Sequence, residues 1–320
     1  MKKVGILFGG KSAEHEISIL SANNIYEMID KEKYDPVLVK IEKSGHWQMD
    51  AVKQFDVIFP ILHGPFGEDG TVQGLLKMAD IPFVGPGVLG SAVGMDKDVM
   101  KRLLRDAQIP IGKFLVLKSQ DSAPTFAEIT AAVGTPFFVK PANMGSSVGI
   151  SKVRSEAELT TALKDAFLYD TKIIIEEFIP GREIECAVLG NEEPAASIPG
   201  EIIPAHEFYS YEAKYLDEKG ASLEIPAKLD EETIKRIQEL SIKVFKVLCC
   251  EGLSRIDFFL KSNGELIVNE INTMPGFTRI SMYPKMWEAS GISYTGLITR
   301  LIELAIERFE KERGLKTSFE

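Results

Sequence analysis

The sequence predicts an α/β chain, with a small open parallel sheet at the N-terminus followed by an α+β part built from hairpins and flanking helices. Three observations predict it. Between residues 3 and 84 apolar strand patterns alternate with helical ones, the order that gives a largely parallel sheet. From residue 136 onward apolar runs come as close pairs around loops of Gly, Ser and Asn, the pattern of hairpins. The chain's 320 residues leave room for two or three domains and a full-sized core.

Composition narrows the function classes. A net charge of −10 argues against non-specific binding to nucleic acid or anionic membrane, yet leaves a nucleotide site open, because a few local cations suffice for that. The cysteines are Cys186 and the adjacent Cys249-Cys250, with no CxxC spacing, so neither a disulfide framework nor a zinc site is indicated. The start MKKVGILF has too short an apolar core for a secretion signal and is interrupted by Gly9, Gly10 and Lys11. No apolar run approaches the length needed to cross a bilayer, so the expectation is a soluble cytoplasmic protein.

Taken in order, residues 3–8 (KVGILF) make a buried strand ending in Gly9-Gly10. Ser12 is read as the N-cap of an amphipathic helix from Glu14 to about Ile29. Strands near Asp35–Ile41 and Asp56–Leu62 follow, then a helical pattern at 71–79 and a short strand at 81–84. In such a sheet ligands sit beyond the carboxyl ends of the strands, where GGKSAE (9–14), HGPFGEDG (63–70) and GPG (85–87) fall. Gly5 to Ser12 also satisfies the phosphate-loop expression GxxxxGK[ST]. That match begins inside a strand and would turn Ile6, Leu7 and Phe8 into loop residues, so it is set aside. In HGPFGEDG, Gly64, Gly67 and Gly70 let backbone approach a ligand, and His63, Glu68 and Asp69 offer polar groups. For His63 alone, a structural hydrogen bond and a role at the site are equally good readings.

Residues 96–107 form a helix, and Pro110 and Pro124 punctuate a strand and a helix at 125–133. PFFVKPANMGSSVGISKV (136–153) then reads as two strands around a loop whose Gly145-Ser146-Ser147 can reach phosphate oxygens, with Lys140 at its mouth: an anion-binding flap. After a helix at 155–167 comes the strand Ile173–Ile175, broken by Glu176–Ile179 before Pro180-Gly181. Residues 205–222 are polar, aromatic and without steady period, a long loop of the kind that is usually functional. Asp230 caps a helix over Glu231–Leu248, and helices at Pro284–Ser290 and Tyr294–Arg313 close the chain.

The densest stretch is Leu253 to Gly276, LSRIDFFLKSNGELIVNEINTMPG. Asn263-Gly264 fits a two-residue type I′ turn, which sets Ser262 opposite Glu265, Asp257 opposite Glu270 and Arg255 opposite Asn272. Alternation puts the last four on one face together with Phe259 and Val268, and Ile256, Leu260, Ile267 and Ile271 on the other. Two carboxylates directly opposite repel, and a hard divalent cation between them removes the conflict. A solvated polar face is the alternative, but a hairpin apolar on both sides is covered, and its carboxylates then need partners.

Together the motifs are a GG-x-SxE-x-E loop, HGxxGEDG, MDK, VKPAxxGSSVG, EExIxGxE, YEAKY, RIDFF and NEINTMPG. In this order, over nearly the full chain, they resemble the D-alanine–D-alanine ligase family of the ATP-grasp superfamily. The resemblance implies a three-domain ATP-grasp architecture: 1–95 for amino-acid binding, 96–182 as a small central ATP-binding part with the flap, and 183–320 with the metal site and the lid loop 205–222. It implies that ATP phosphorylates one D-alanine carboxylate and that the amine of a second D-alanine attacks the acylphosphate, for peptidoglycan precursors. Asp257, Glu270 and Asn272 match the family's ligands for Mg²⁺ or Mn²⁺, two ions being expected. Lys97, Lys140 and Lys214 match phosphate-binding lysines, Ser147 belongs to the flap, Glu176 and Ile179 match adenine contacts, and Glu183 matches the ribose carboxylate. Glu14 and His63 match the first D-alanine subsite, Ser281 and Met282 the second, and Arg255 with the Gly276 N–H the oxyanion hole. Glu14, Ser146 and Tyr215 match a hydrogen-bonded trio closing the lid over the flap. Tyr215 favours D-alanine as acceptor, because relatives that use D-lactate carry phenylalanine or histidine there. A homodimer is likewise expected from the resemblance, with no nucleic-acid or membrane partner.

Overall fold

The computed structural model describes residues 1–204, 221–316 and 318. It begins with β1 (Lys2–Gly9), α1 (His15–Met28), β2 (Tyr34–Ile41) and β3 (Val57–Ile61), the strands parallel in the order β2-β1-β3. β1 is covered on both faces, as parallel strands are. Val4 and Ile6 join one core, and Leu7 joins Ile58, Leu62 and Leu76 in another. Gly9 ends the strand at φ +92°, and a Cβ there would lie 2.4 Å from the Ile41 carbonyl oxygen, so only glycine fits. Ser12 does not cap α1. Glu14 occupies the N-cap without a side-chain cap bond, and the Ser12 Oγ accepts the Glu14 N–H at 3.0 Å, which leaves the Glu14 carboxylate to turn elsewhere. The strand expected at 81–84 shrinks to one parallel bridge between Ile58 and Phe83. α2 (Thr71–Met78) precedes Phe83 in the chain and α3 (Val88–Met95) follows it.

The second sheet is antiparallel. α4 (Lys97–Asp106), β4 (Phe114–Lys118), α5 (Phe126–Val133), β5 (Phe137–Pro141), β6 (Ser151–Val153), α6 (Glu156–Ala166) and β7 (Lys172–Glu177) give the order β4-β7-β5-β6. Each helix starts at a side-chain cap: Asp96, Thr125 with Glu128 in a capping box, and Ser155. β7 is not broken at Glu176, because Glu176 pairs with Phe114 on one side and Phe138 on the other.

The third sheet holds β8 (Arg182–Gly190), β9 (Ala195–Ala196), β10 (Gly200–Pro204), β11 (Ala221–Glu224), β12 (Gly252–Leu260) and β13 (Leu266–Asn272), ordered β11-β10-β8-β12-β13 with β9 beside β8. α7 (Glu231–Val247), capped by Asp230, covers one face through Ile237, Val244 and Phe245. α8 (Met282–Ala289) and α9 (Tyr294–Arg313) end the chain. Leu297, Ile298 and Leu301 of α9 share a core with Val4, Ile6 and Phe59, so the last helix is packed under the first sheet. The expected loop 205–222 ends in β11, and its remaining residues, Lys214 and Tyr215 among them, lie outside the described residues.

The β12–β13 hairpin reaches the expected pairing by another route. Its loop has three residues, with the Lys261 N–H donating to the Glu265 carbonyl at 2.9 Å and Gly264 at φ +81°. That sets Phe258 opposite Val268, and a bulge at Asn269 then restores Asp257 opposite Glu270 and Arg255 opposite Asn272. The bulge exchanges two side chains relative to expectation. Val268 joins the core with Leu266 and Ile271, and Ile267 faces Phe259.

Candidate active site

The seam of the site is a row of acids across three strands: Glu185 on β8 faces Asp257 on β12, which faces Glu270 on β13. Arg255, two residues before Asp257 and on the same face, donates Nε and Nη2 to the Asp257 carboxylate at 2.7 and 2.8 Å. Its Nε is also 3.0 Å from Glu185 Oε2. Burial alone would lower the Arg255 pKa, but Asp257 and Glu185 raise it well above the ordinary value, so the charge is permanent. Glu270 Oε2 lies 3.3 Å from Lys97 Nζ, which donates to the Met144 carbonyl at 2.8 Å. Asn272 Oδ1 is buried and meets no hydrogen-bond partner among the described residues. Two carboxylates and a bare amide oxygen are the hard oxygen set that suits Mg²⁺, so the residues fit the expected ion.

On one side of the seam, Glu176 sits between Lys101 and Lys140, each 2.6 Å away. Burial would raise the Glu176 carboxyl, but the two ammonium groups hold it down at about 2. Burial would lower the Lys140 pKa, and Glu176 and Glu270 reverse that and raise it. Ile179 Cδ1 would be 2.9 Å from a Cβ placed on Gly112, so the turn after β7 lies tight against the segment before β4. Glu183 on β8 pairs with Ile202 and Phe259 and, two residues before Glu185, shares its face. Ser146 and Ser147 adopt left-handed backbone, φ +51° and +61°, which bends the flap between β5 and β6.

On the other side opens a cavity of about 600 Å³. Glu14, His63, Lys97, Ser146, Arg255, Glu270, Asn272, Gly276, Ser281 and Met282 are among the residues that line it. Lys140, Ser147, Glu176, Ile179, Glu183 and Asp257 lie outside its lining. The Ser146 hydroxyl donates to Glu14 Oε1, joining two members of the expected trio, the third being outside the described residues. His63 Nδ1 meets the Met274 carbonyl oxygen at 3.0 Å, so that nitrogen carries the proton and donates. Burial lowers the His63 pKa despite Glu14 nearby, which keeps the ring neutral and Nε2 a bare acceptor. That Nε2 is buried with no partner among the described residues. Ser281 Oγ accepts the Thr278 N–H at 3.0 Å and lies 2.8 Å from Thr278 Oγ1. Glu68 is buried here too, and burial with the Glu14 charge pushes its carboxyl up to about 8.

Sequence reasoning missed Lys101, Glu185 and the full part played by Glu68. Lys101 falls one helical turn after Lys97, a signal that both face one side. Glu185 alternates with Glu183, which places both on one face of β8.

The comparisons agree over the whole chain. A family model described as D-ala D-ala ligase C-terminus matches residues 103–303, and one described as D-ala D-ala ligase N-terminus matches 3–54 and 48–86. The D-alanine–D-alanine ligase of Oceanobacillus iheyensis is 51% identical over 360 aligned positions, covering 99% of this chain and 98% of the relative. Among solved structures, the D-alanine–D-alanine ligase of Coxiella burnetii superposes with TM-score 0.88 at 39% identity, covering 98% of this chain and 96% of its own. The VanG D-Ala:D-Ser ligase of Enterococcus faecalis superposes with TM-score 0.86 at 37% identity, covering 95% and 99%.

Proposed function

The chain belongs to the D-alanine–D-alanine ligase family, and from that premise we propose that it joins two D-alanine molecules at the expense of ATP, releasing ADP and phosphate. The observation that carries the reading is the meeting, in one cavity, of an ammonium-binding pair, Glu14 and His63 Nε2, with the guanidinium of Arg255 and the backbone of Gly276. The ammonium of the first D-alanine takes the Glu14 carboxylate and donates to Nε2 of His63, which turns its own carboxylate toward the seam. ATP is the co-substrate. Glu176 accepts the adenine amine, Ile179 packs beside the base, Glu183 takes the ribose, and Lys97, Lys140, Lys214 and the Ser147 flap hold phosphate oxygens.

A carboxylate oxygen of the first D-alanine attacks the γ-phosphorus and ADP leaves, a step dominated by positioning and charge neutralisation. Asp257, Glu270 and Asn272 hold Mg²⁺ or Mn²⁺, which when bound neutralises the phosphate charge; two ions are proposed. The amine of the second D-alanine, its carboxylate at Ser281 and Met282, then attacks the acyl carbon, and its proton leaves with the phosphate expelled in the next step. The oxygen of the tetrahedral adduct receives hydrogen bonds from Arg255 and the Gly276 N–H, and collapse expels phosphate. Ser146 and Tyr215 hold Glu14 and the lid together. The division at 95 and 182 is part of the same reading, supported by the three separate sheets, and a homodimer and a cytoplasmic location are proposed with it from the family alone.

ADP release measured with D-alanine, L-alanine, D-lactate and D-serine tests it. D-alanine alone is expected to drive turnover, and release with L-alanine but not D-alanine would overturn the reading. The likeness to a D-Ala:D-Ser ligase makes D-serine the acceptor to compare most closely, and preference for it would leave the chemistry intact and change the second substrate.

A further inference from the structure

We propose that Glu68 is a positioning residue for the ligation step, setting the Gly276 amide of the oxyanion hole through the backbone of Met274; this rests on the reading above. Glu68 belongs to the loop 63–70 and lines the cavity, and its two oxygens are used on two different loops. Oε2 accepts the N–H of Gly64 at 2.7 Å and Oε1 accepts the N–H of Met274 at 3.1 Å. His63 grips the same residue from its other end, Nδ1 donating to the Met274 carbonyl at 3.0 Å. Three residues on, the Phe277 N–H donates to Ser21 Oγ at 3.2 Å, and its carbonyl accepts from Asn24 Nδ2 at 2.8 Å and from the Tyr294 hydroxyl.

The loop after β13 is thus held at Met274 and at Phe277, each by both its backbone groups. Gly276 lies between them, against the cavity, with its own N–H meeting no acceptor among the described residues. A donor that must meet a transient oxyanion is useful only if it is fixed before the charge appears. A carboxyl suits the two converging N–H groups, because both of its oxygens accept, the hydroxyl oxygen of the neutral form included. An amide offers one oxygen and opposes the second donor with an NH₂ group, so Glu68→Gln breaks the clamp while changing the volume little.

The test uses the full chain with three readouts. In Glu68→Gln, kcat for ADP and dipeptide formation is expected to fall about 100-fold, the scale of loss for a misplaced group, with the KM for ATP within about twofold of wild type. Scrambling of an isotopic label between the bridging and non-bridging β,γ oxygens of ATP, which reports reversible acylphosphate formation, is expected to persist. Amide hydrogen exchange over 273–277 is expected to quicken. Wild-type kcat in the variant, or loss of scrambling in step with kcat, would overturn the proposal. Should the variant not fold, the Met274 amide of the wild-type protein decides: slow exchange supports the clamp, and exchange at the rate of an open loop removes it. Wild-type ADP release run alongside keeps a failure of the ligase reading distinct from a failure of this one.

Discussion

The two sides of the seam bury a glutamate each and treat it in opposite ways. Glu176, on the side assigned to the nucleotide, has Lys101 and Lys140 at 2.6 Å and is held down at about 2. Glu68, on the side assigned to the amino acids, is pushed up to about 8 by burial and by the Glu14 charge, which the N–H groups of Gly64 and Met274 and the charge of Lys97 offset only in part. One half of the site is complete in charge before any ligand arrives. In the other, Glu14 meets the Ser146 hydroxyl and no ammonium or guanidinium ion pair among the described residues, which leaves room beside it for the ammonium of the proposed substrate. A buried carboxylate without a counter-charge is a physical reason for selecting a zwitterionic substrate over a plain carboxylic acid.

The seam itself gives the largest expected effect. Asp257→Asn or Glu270→Gln should lower turnover about a thousandfold or more in the ADP-release assay, several kcal/mol of lost charge stabilisation. Near-normal activity in either would separate the acids from the chemistry and dissolve the division between the halves.

Next comes the direct contrast. Glu176→Gln leaves two buried ammonium groups without their counter-charge, and removing one partner of a buried pair costs about 3–5 kcal/mol. A clear fall in melting temperature and a raised KM for ATP are expected. Glu68→Gln leaves no buried charge uncompensated, and the one backbone hydrogen bond it breaks costs about 1–3 kcal/mol, so its melting temperature should fall less than that of Glu176→Gln. Equal losses in the two variants would contradict the contrast.

Acid–base titration sharpens it. The raised Glu68 pKa contributes stability that is fully present below about pH 4.5 and is lost as pH rises through about 8. The lowered Glu176 pKa contributes stability that is present above about pH 4.5 and is lost as pH falls toward 2. In melts of the unliganded protein, Glu68→Gln should therefore flatten the alkaline slope and Glu176→Gln the acid slope. If the two variants flattened the same slope, the environments would be misassigned.

The smallest effect is expected at Lys11, outside both halves, in the stretch that mimics a phosphate loop. Ile6, Leu7 and Phe8 are strand residues, so that loop does not exist. Lys11→Ala should leave kcat within about twofold of wild type, the scale of a surface change of ±0.5 kcal/mol. A large loss there would revive the phosphate-loop reading.

Much of this was legible in the sequence wherever the signal was local. The alternating strands, the cap at Asp230 and the Asp257–Glu270 pairing follow from neighbouring residues. The pairing nevertheless came from a wrong turn. A three-residue loop shifted the register and the bulge at Asn269 shifted it back, beside the bond from the Val268 N–H to the Pro110 carbonyl at 2.9 Å, a partner no local pattern reveals. α3, Val88–Met95, escaped because VLGSAVGM has no polar face and two glycines. Those glycines are there for close packing, since a Cβ on Gly90 would sit 2.5 Å from the Cys249 carbonyl oxygen. Lys101 escaped because its partner, Glu176, is on β7, far along the chain, and a second lysine one turn along a helix reads as a solvated basic face. Glu68 stood out in HGPFGEDG as a polar group, but its hold on Met274 depends on two loops far apart in the chain.

A crystal structure with Mg²⁺, ADP and D-alanine tests the central claim most directly. The account predicts the ion between Asp257 and Glu270 with Asn272 Oδ1 as a ligand, and the D-alanine ammonium between Glu14 and His63 Nε2. An ion bound elsewhere, with the D-alanine carboxylate rather than its ammonium against Glu14 and His63, would contradict it.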